Sequence, residues 1–250
     1  DGFAADGTTA NGTTANFDSI DFAGSTVTIT EAGDMSIAAS EATGVLSLMS
    51  STGTISQTGR IDAGNISFFT TSTNDKVINL GNTSNALTGA VSFTTGGTAG
   101  NVTVDNGTTA LDLAASTIRG SLTATSGAAA GIVDSGNVVV ASDVTLITDA
   151  NNGVINLDTL QQSAGDLVLT TDGTGDATVV NNAAIDFGTS SVGGNLSATV
   201  SAGAITQDGG ALTVTGTSAF TTLTDDQAIT LSDTGNELTG AVTFTTAGTA

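Results

Sequence analysis

The stretch AITLSDTGNELTGAVTFTTAGTA, residues 228–250, decides the fold because it repeats an earlier stretch of the same chain. Residues 77–99 read VINLGNTSNALTGAVSFTTGGTA, and the two stretches share fifteen of twenty-three residues at an offset of 151. Internal repetition on this scale is typical of solenoids and other repeat architectures, in which each unit packs mainly on its neighbours. The sequence therefore predicts a repetitive fold before any single residue is considered.

Weaker matches divide this long period into two. Residues 110–127, ALDLAASTIRGSLTATSG, resemble residues 184–203, AIDFGTSSVGGNLSATVSAG, at roughly half the longer offset. The basic unit is therefore about 75 residues long. We divide the chain into a divergent lead-in and three units, the last of them truncated, and expect one continuous array cut from a longer one. The lead-in is 1–43 and the units are 44–119, 120–193 and 194–250.

Short runs of alternating apolar and polar residues dominate the local pattern. TVTIT (26–30), VTVD (102–105) and VTLIT (144–148) each place β-branched or aliphatic residues on one side and Thr or Asp on the other. This alternation indicates half-buried strands. Turn formers such as Asn, Gly and Asp separate the runs, and no stretch shows helical periodicity. The sequence predicts an all-β protein.

The spacing of the strands leaves two arrangements open. Their inner residues recur at intervals of about ten to thirteen positions, which fits antiparallel hairpins in a sandwich as well as flat coils of a parallel β-solenoid. The unit boundaries contain no linker, and the chain contains no Pro, which is common on sandwich edges. We therefore predict a parallel β-solenoid with coils of about 20–25 residues, about three coils per unit and about ten to twelve in all.

Large aromatic residues recur at matching positions of the repeat. We expect them to fill the wider parts of a narrow stacked core, whose width limits side-chain size. The matched pairs are Phe69 with Phe220, Phe93 with Phe244, and Phe22 with Phe187.

The charge balance excludes several partners. The chain carries 24 acidic residues against three basic ones, Arg60, Lys76 and Arg119, for a net charge of -21. Nucleic acids and anionic membrane surfaces both attract basic proteins, so we predict no nucleic-acid partner. No apolar run approaches the eighteen residues of a membrane span, so we predict no membrane insertion.

The residue types also argue against an enzyme. The chain has no His, Cys or Tyr, so carboxylates are the groups left for acid–base catalysis. Three carboxylate pairs are candidates for a polysaccharide-cleaving site: Asp172 with Asp176, Asp225 with Asp226, and Asp233 with Glu237. Each lies in a turn rich in Gly, Thr or Asn, where Asp is expected for turn hydrogen bonding alone. We interpret them as turn residues and predict no catalytic residue.

Two kinds of ligand site have some support in the residue pattern. TDGTGDA (171–177) and DANNG (149–153) offer oxygen donors for Ca²⁺ but match no known loop motif, so we expect weak Ca²⁺ binding at most and no cofactor. Outward Thr residues in TVTIT and LTVTGT (212–217) could form a face that binds ice or carbohydrate. The outward set mixes Thr with Ser, Asp and Asn, so solvent-facing strand residues are the simpler interpretation.

Six triplets match the N-glycosylation pattern, which a chain this rich in Thr and Ser produces by chance. They begin at Asn11, Asn65, Asn82, Asn101, Asn106 and Asn195.

One long stretch resembles a known class of repeats. IDFGTSSVGGNLSATVSAGAITQDGGALTVTGTSAFTT (185–222), followed by AITLSDTGNELTGAVTFTT, resembles the β-strand repeats of large bacterial surface proteins, the filamentous-haemagglutinin-like exoproteins and related adhesins. The resemblance covers most of the chain from about residue 44 and is one of repeat style. It implies a right-handed parallel β-helix shaft that lies outside the cell and serves in attachment or as a stalk.

These observations lead to one leading hypothesis and two alternatives. We predict a structural, non-enzymatic shaft of an extracellular bacterial surface protein, located at the cell surface, that associates with itself or with neighbouring repeats and contacts host or environmental surfaces. The alternatives are a solenoid that binds ice or carbohydrate and, less favoured, a polysaccharide-cleaving β-helix enzyme.

Overall fold

The computed structural model describes residues 17–248, which form a β-solenoid without any helix in that range. No helix in the described part of the chain is long and apolar enough to span a membrane. Twenty-nine strands follow one another along these residues.

The strands are short, from two to eight residues long. The first eleven are β1 (Ala23–Gly24), β2 (Val27–Glu31), β3 (Met35–Ile37), β4 (Ser40–Ala42), β5 (Leu46–Ser50), β6 (Ile55–Gln57), β7 (Ile61–Ala63), β8 (Ser67–Asn74), β9 (Ile78–Leu80), β10 (Ala86–Leu87) and β11 (Val91–Gly96). The next nine are β12 (Val102–Asp105), β13 (Leu111–Leu113), β14 (Ser116–Ile118), β15 (Leu122–Ser126), β16 (Ile132–Asp134), β17 (Val138–Val140), β18 (Val144–Thr148), β19 (Ile155–Gln162) and β20 (Asp166–Thr170). The last nine are β21 (Ala177–Asn181), β22 (Ile185–Phe187), β23 (Ser190–Val192), β24 (Leu196–Val200), β25 (Ile205–Gln207), β26 (Leu212–Val214), β27 (Ser218–Asp225), β28 (Glu237–Leu238) and β29 (Val242–Ala247).

Two long sheets form the faces of the solenoid. The first face has 13 strands and runs from β2 to β29, and the second has 12 strands and runs from β3 to β28. A third sheet of four strands, β1, β4, β7 and β10, lies beside the second face near the start of the chain. Neighbouring strands on the first face are separated along the chain by strands of the second face, as a solenoid requires.

Parallel pairing from coil to coil defines the register. Ile20 pairs with Ile37, seventeen positions later, and Ser67 pairs with Val91, twenty-four positions later. The other pairings fall between these limits, and most of them match the predicted coil length. Every strand pair in the described part of the chain is parallel, which excludes the antiparallel sandwich and confirms the β-solenoid.

Each repeat unit contains an odd number of half-coils. A half-coil is either one unbroken strand or two short strands separated by a bend, and seven of them run from β2 to β11, seven from β12 to β20 and seven from β21 to β29. One unit therefore advances the solenoid by three and a half coils, where about three were predicted. At about 4.8 Å per coil this is a rise of roughly 17 Å.

Because each unit ends half a coil beyond a whole number of coils, equivalent strands of successive units lie on opposite faces. The stretch GVLSLMS of the first unit forms β5 on the first face, its equivalent GSLTATS forms β15 on the second face, and GNLSATV forms β24 on the first face again. Equivalent residues return to the same face after two units, or seven coils. This explains why the match at an offset of 151 is much closer than the matches at half that offset: those residues share both sequence and surroundings.

Inward side chains from both faces form one continuous core. Phe69 and Phe93 lie in successive coils and stack with their ring centroids 5.8 Å apart, and Phe187 and Phe220 meet edge to face at 6.1 Å. All four rings are fully buried. The prediction that recurring Phe residues fill the core is confirmed at these positions, while Phe22 is half-buried.

Candidate functional site

Acidic and amide side chains join successive coils at the turns. Asp34 Oδ1 accepts the backbone N–H of Thr54 at 2.8 Å, one coil later, and Asp176 Oδ1 accepts that of Asn195 at 2.6 Å. Asn195 Oδ1 in turn accepts the N–H of Thr217 at 2.9 Å. Each bond satisfies a turn N–H that no strand partner reaches. A substantial part of the polar surface is therefore occupied with holding the coils together.

Asp75 shows the same role at a corner with unusual backbone geometry. Its φ is 61°, and its Oδ1 accepts the N–H groups of Thr98 at 2.7 Å and Ala99 at 2.8 Å. These two hydrogen bonds hold the pKa of the Asp75 carboxyl below its ordinary value. Hydrogen bonds from the backbone and hydroxyl of Thr54 lower the pKa of Asp34 in the same way. Both carboxylates act as ionised acceptors in the folded chain.

Of the three candidate carboxylate pairs, four acids lie between strands: Asp172, Asp176, Asp226 and Asp233. The sequence placed all six in turns, but Asp225 is the last residue of β27 and Glu237 is the first residue of β28. Asp172 Oδ2 accepts the N–H of Asn152 at 3.1 Å, and Asp233 Oδ1 accepts the N–H of Gly235 at 2.7 Å. Asp176 belongs to the turn bonds above, and Asp226 has a positive φ of 60°. These contacts account for Asp172, Asp176 and Asp233 as turn residues.

The stretches considered for Ca²⁺ bind each other across neighbouring coils. Asn152 Oδ1, from 149–153, accepts the N–H of Thr174, from 171–177, at 3.0 Å. Within residues 17–248, no group of three or more carboxylates has the spacing that could hold a metal ion. The oxygen donors of these stretches serve the contact between two coils.

Outward Thr residues do form ranks on the second face. Thr103, Thr123 and Thr145 pair in register on successive strands β12, β15 and β18. The next position in this rank is Val168. The parallel rank that contains Thr125 has Asp105 on one side and Ile147 on the other. On the second face this Thr rank is thus three coils long and interrupted, as the mixed outward composition predicts.

Paired amides at the corners are polar residues that the sequence patterns did not indicate; one member of each pair is buried, Asn85 or Gln207, and its partner is half-buried. Gln57 and Asn85 exchange two amide hydrogen bonds, Nε2 to Oδ1 at 2.8 Å and Nδ2 to Oε1 at 2.9 Å. Gln207 and Asn236, two units later, form the same reciprocal pair at 2.7 and 2.8 Å. The recurrence of Gln and Asn two units apart is the sequence signal that could have identified them.

Asn106 is also fully buried, although it begins a glycosylation triplet. Its Nδ2 donates to the carbonyls of Leu87 at 3.0 Å and Ala110 at 2.8 Å. A glycan on this nitrogen is incompatible with the folded chain. Asn11 lies outside the described residues, and the other four triplets begin between strands.

Acidic residues cluster on the second face near its middle. Asp166 pairs in register with Asp186, and Asp143 lies one coil earlier, where its Oδ1 accepts the N–H of Asp166 at 3.1 Å. Burial, followed by the charges of Asp186, Asp143 and Asp208, raises the pKa of the Asp166 carboxyl. The cluster is a source of electrostatic repulsion within the fold.

Two shallow depressions open on the surface. One of about 170 Å³ lies beside the bulge of β19 and is lined by Asn137, Asp158 and Asn182 among others. The other, of about 320 Å³, lies along the third sheet beside Phe22, Glu41 and the ion pair of Arg60 with Asp62. Both are open to solvent, whereas typical ligand pockets enclose most of the ligand surface.

The last described coil exposes residues that are buried elsewhere. Phe244 stacks on Phe220 at 5.6 Å, yet 57% of its surface is exposed. Its counterpart Phe93 is fully buried because the following coil covers it. Within residues 17–248, no later coil covers the Phe244 ring.

The fold and its seven-half-coil period define a parallel β-solenoid repeat protein. Three stretches, residues 24–94, 99–171 and 174–245, match a family described as repeats of unknown function (DUF5649). They cover most of the chain, so the protein belongs to this family. No curated protein and no solved structure matches the chain.

The three matched stretches begin roughly twenty positions before the unit boundaries chosen from the sequence, because a repeat array can be divided at any phase. They begin at positions 24, 99 and 174, and this even spacing confirms the predicted period. Each matched stretch also spans one set of seven half-coils.

Proposed function

We propose that this chain is a structural, non-enzymatic shaft, a rigid segment that spaces or projects other parts of a bacterial surface protein. A stack of coils sharing one core resists bending because neighbouring coils are joined along both faces. Such a segment adds length in equal steps, about 17 Å for each unit.

One observation carries the proposal: carboxylates and amides at the turns are used to hold coil to coil. The carboxylates of Asp34, Asp75 and Asp176 accept backbone N–H groups of the next coil, and paired amides such as Gln57 with Asn85 join coils at the corners. An active site or a ligand pocket keeps such groups free and convergent in a cleft. This pattern supports a structural role better than a catalytic one.

The extracellular location belongs to the same proposal. It is supported by the resemblance to surface-protein repeats and by the net charge of -21, which favours solubility and opposes unspecific association. Attachment to host or environmental surfaces remains a prediction of that resemblance.

Negative-stain electron microscopy and small-angle X-ray scattering test the shaft. We expect a stiff rod whose length is about 4.8 Å times the number of coils, close to 50 Å for the ten coil steps between β2 and β29. A maximum dimension close to that of a sphere of this mass would contradict the proposal.

The non-enzymatic part needs a separate test. We expect no cleavage of neutral or acidic polysaccharides by the chain, measured as new reducing ends. A measurable cleavage that Asp172→Asn or Asp176→Asn abolishes would establish the enzyme alternative instead.

Self-association is the partner we propose. Phe244 in the last described coil is the counterpart of Phe93, which a following coil covers, so a further coil of this family suits this surface, whether it comes from neighbouring repeats of the same protein or from another copy. We expect sedimentation to show concentration-dependent association that Phe244→Asp weakens, because the substitution places a charge in the contact. Equal sedimentation of both proteins at all concentrations would exclude this surface.

A further inference from the structure

One buried position of the repeat carries a carboxylic acid in the first unit and an amide in the other two. Glu31, Asn106 and Asn181 are evenly spaced, one repeat period apart, and lie at or directly after the ends of the equivalent strands β2, β12 and β21. All three are fully buried. The exchange of an amide for an acid at such a position changes what the side chain can donate.

The two Asn residues show what the position requires. Oδ1 of Asn106 and of Asn181 accepts a backbone N–H from the preceding coil, at 2.8 Å in both cases. Nδ2 of each donates to a carbonyl of that coil at 3.0 Å and to a carbonyl of its own next corner at 2.8 Å. The position therefore joins one acceptor and one donor to the backbone of the coil before it.

Glu31 supplies the acceptor but, when ionised, no donor. Its Oε1 accepts the N–H of Phe17 at 2.8 Å, so it ties the segment before β1 to the end of β2. Its Oε2 is buried and has no hydrogen-bond partner within residues 17–248. A buried ionised oxygen without a partner is costly, whereas the protonated acid is neutral and regains one O–H donor.

The surroundings of Glu31 favour the neutral acid. Its in-register neighbour on β5 is the uncharged Ser50, and the charged group that acts on it is Asp34 at the following corner. Lys76 acts on Asp34. Burial raises the pKa of the Glu31 carboxyl; the Phe17 N–H opposes this shift and the Asp34 carboxylate adds to it.

We propose that Glu31 is a pH-sensitive lock that holds residues 17–31 on the solenoid when it is protonated and loosens them when it ionises. Coils that carry Asn at this position have no titratable group in the contact, so the response is confined to the first described coil. A shaft with such a lock closes this coil in acid and opens it as the pH rises.

The direction follows from linkage between protonation and folding. A carboxyl whose pKa is higher in the folded state than in the unfolded state binds more protons when folded. At a pH below its ordinary pKa, such a carboxyl is protonated in both states and does not change the stability of the closed coil. As the pH rises through the raised pKa, the carboxyl destabilises the closed coil progressively. The coil is therefore most stable at the acidic end of this range.

The test combines a direct titration with a variant that copies the other units. Side-chain carboxyl NMR of the intact chain should give Glu31 a pKa above that of ordinary Glu. Hydrogen exchange, corrected for intrinsic rates, should show residues 20–31 better protected at about pH 5 than at about pH 8. Glu31→Gln should abolish that difference, because its amide keeps the acceptor and supplies a neutral donor.

Glu41→Gln is the matched control, since it removes one exposed carboxylate from the same part of the chain. It should retain the pH-dependent protection of residues 20–31. The proposal is overturned if Glu31 titrates at or below the ordinary value, or if Glu31→Gln keeps the pH dependence of the wild type. If Glu31→Gln lowers the protection at both pH values, the direct titration of wild-type Glu31 decides between the two outcomes.

Discussion

Burial decides what equivalent side chains contribute at the scale of single residues. Phe93 and Phe244 occupy the same place in units one and three, and both stack on a Phe of the preceding coil. Phe93 is fully buried, whereas Phe244 is 57% exposed. The pair separates the contribution of core packing from that of ring stacking within one chain.

We expect Phe93→Ala to lower the free energy of unfolding by about 3–5 kcal/mol, because it removes buried apolar surface and leaves a cavity. Phe244→Ala should cost much less, since most of that ring is already in water. Urea unfolding followed by circular dichroism measures both. Equal losses for the two variants would contradict the assignment of Phe93 to the closed core.

The buried corner amides give a second prediction at this scale. We expect Asn106→Ala to lower the free energy of unfolding by about 2–4 kcal/mol, because the N–H and the C=O of Leu87 lose their buried partner. The exposed Asn137→Ala is the matched control and should change stability by less than about 0.5 kcal/mol. A similar small change at both positions would show that water replaces the Asn106 amide.

Repulsion between stacked acids belongs to the scale of the strand. Asp166 begins β20 and pairs in register with Asp186 of β22. Burial and neighbouring carboxylates raise the pKa of the Asp166 carboxyl. Because the pKa is raised in the folded state, the ionised group destabilises the fold above that pKa. This destabilisation disappears as the pH falls below the ordinary value of Asp.

We therefore expect Asp166→Asn to raise the melting temperature near neutral pH, and the gain to shrink in acid and at high salt, where the charges are neutralised or screened. Asp21→Asn removes one exposed charge near the start of the chain and serves as the control. Differential scanning calorimetry at several pH values measures both. A gain that is independent of pH and salt would point to packing instead of charge.

The middle unit shows how strand length responds to a shorter loop. In the first unit β9 and β10 are separated by the turn at residues 81–85, whereas the shorter equivalent stretch of the middle unit forms the single strand β19. Its register shifts between Leu157 and Leu160, and Asp134 accepts the N–H groups of Asp158 and Thr159 there. A bulge thus takes up the residues that the loop holds elsewhere.

At the scale of the whole molecule, one unit is three and a half coils long. One unit can therefore take the place of the next only if it is rotated by half a turn about the solenoid axis. Removal of one unit should therefore leave a foldable chain in which everything after the junction is rotated by half a turn. Since each coil contacts mainly its neighbours, the loss should be close to one third of the stacking interactions.

Deletion of residues 102–176 tests this, because it places Ala177 where Val102 stood and β21 over β9. We expect a folded β-rich chain that scattering shows to be shorter by roughly 17 Å. Deletion of residues 102–110 serves as the comparison. It removes the single half-coil β12 and makes β13 follow β11, although both strands belong to the first face. A full-unit deletion that fails to fold would contradict the equivalence of the units.

Much of this architecture could be predicted from the sequence. Alternation in stretches such as TVTIT (26–30) determines strands, because one side of each must be buried and the other hydrated. Self-similarity from one unit to the next indicates stacking, and the Gly, Asn and Asp between strands mark the turns. The positions of the turn acids, Asp172 and Asp233 among them, also followed from their neighbours.

The number of coils per unit, the exchange of faces and the partners of the buried polar groups were decided by the tertiary structure. A turn can bend or continue straight, as β9 with β10 and β19 show, and the sequence leaves that choice open. Gln57 meets Asn85 across a full coil, and Glu31 accepts a hydrogen bond from Phe17, which precedes it in the chain by nearly a full coil. Such contacts depend on where each coil closes on the one before it, which a local pattern does not specify.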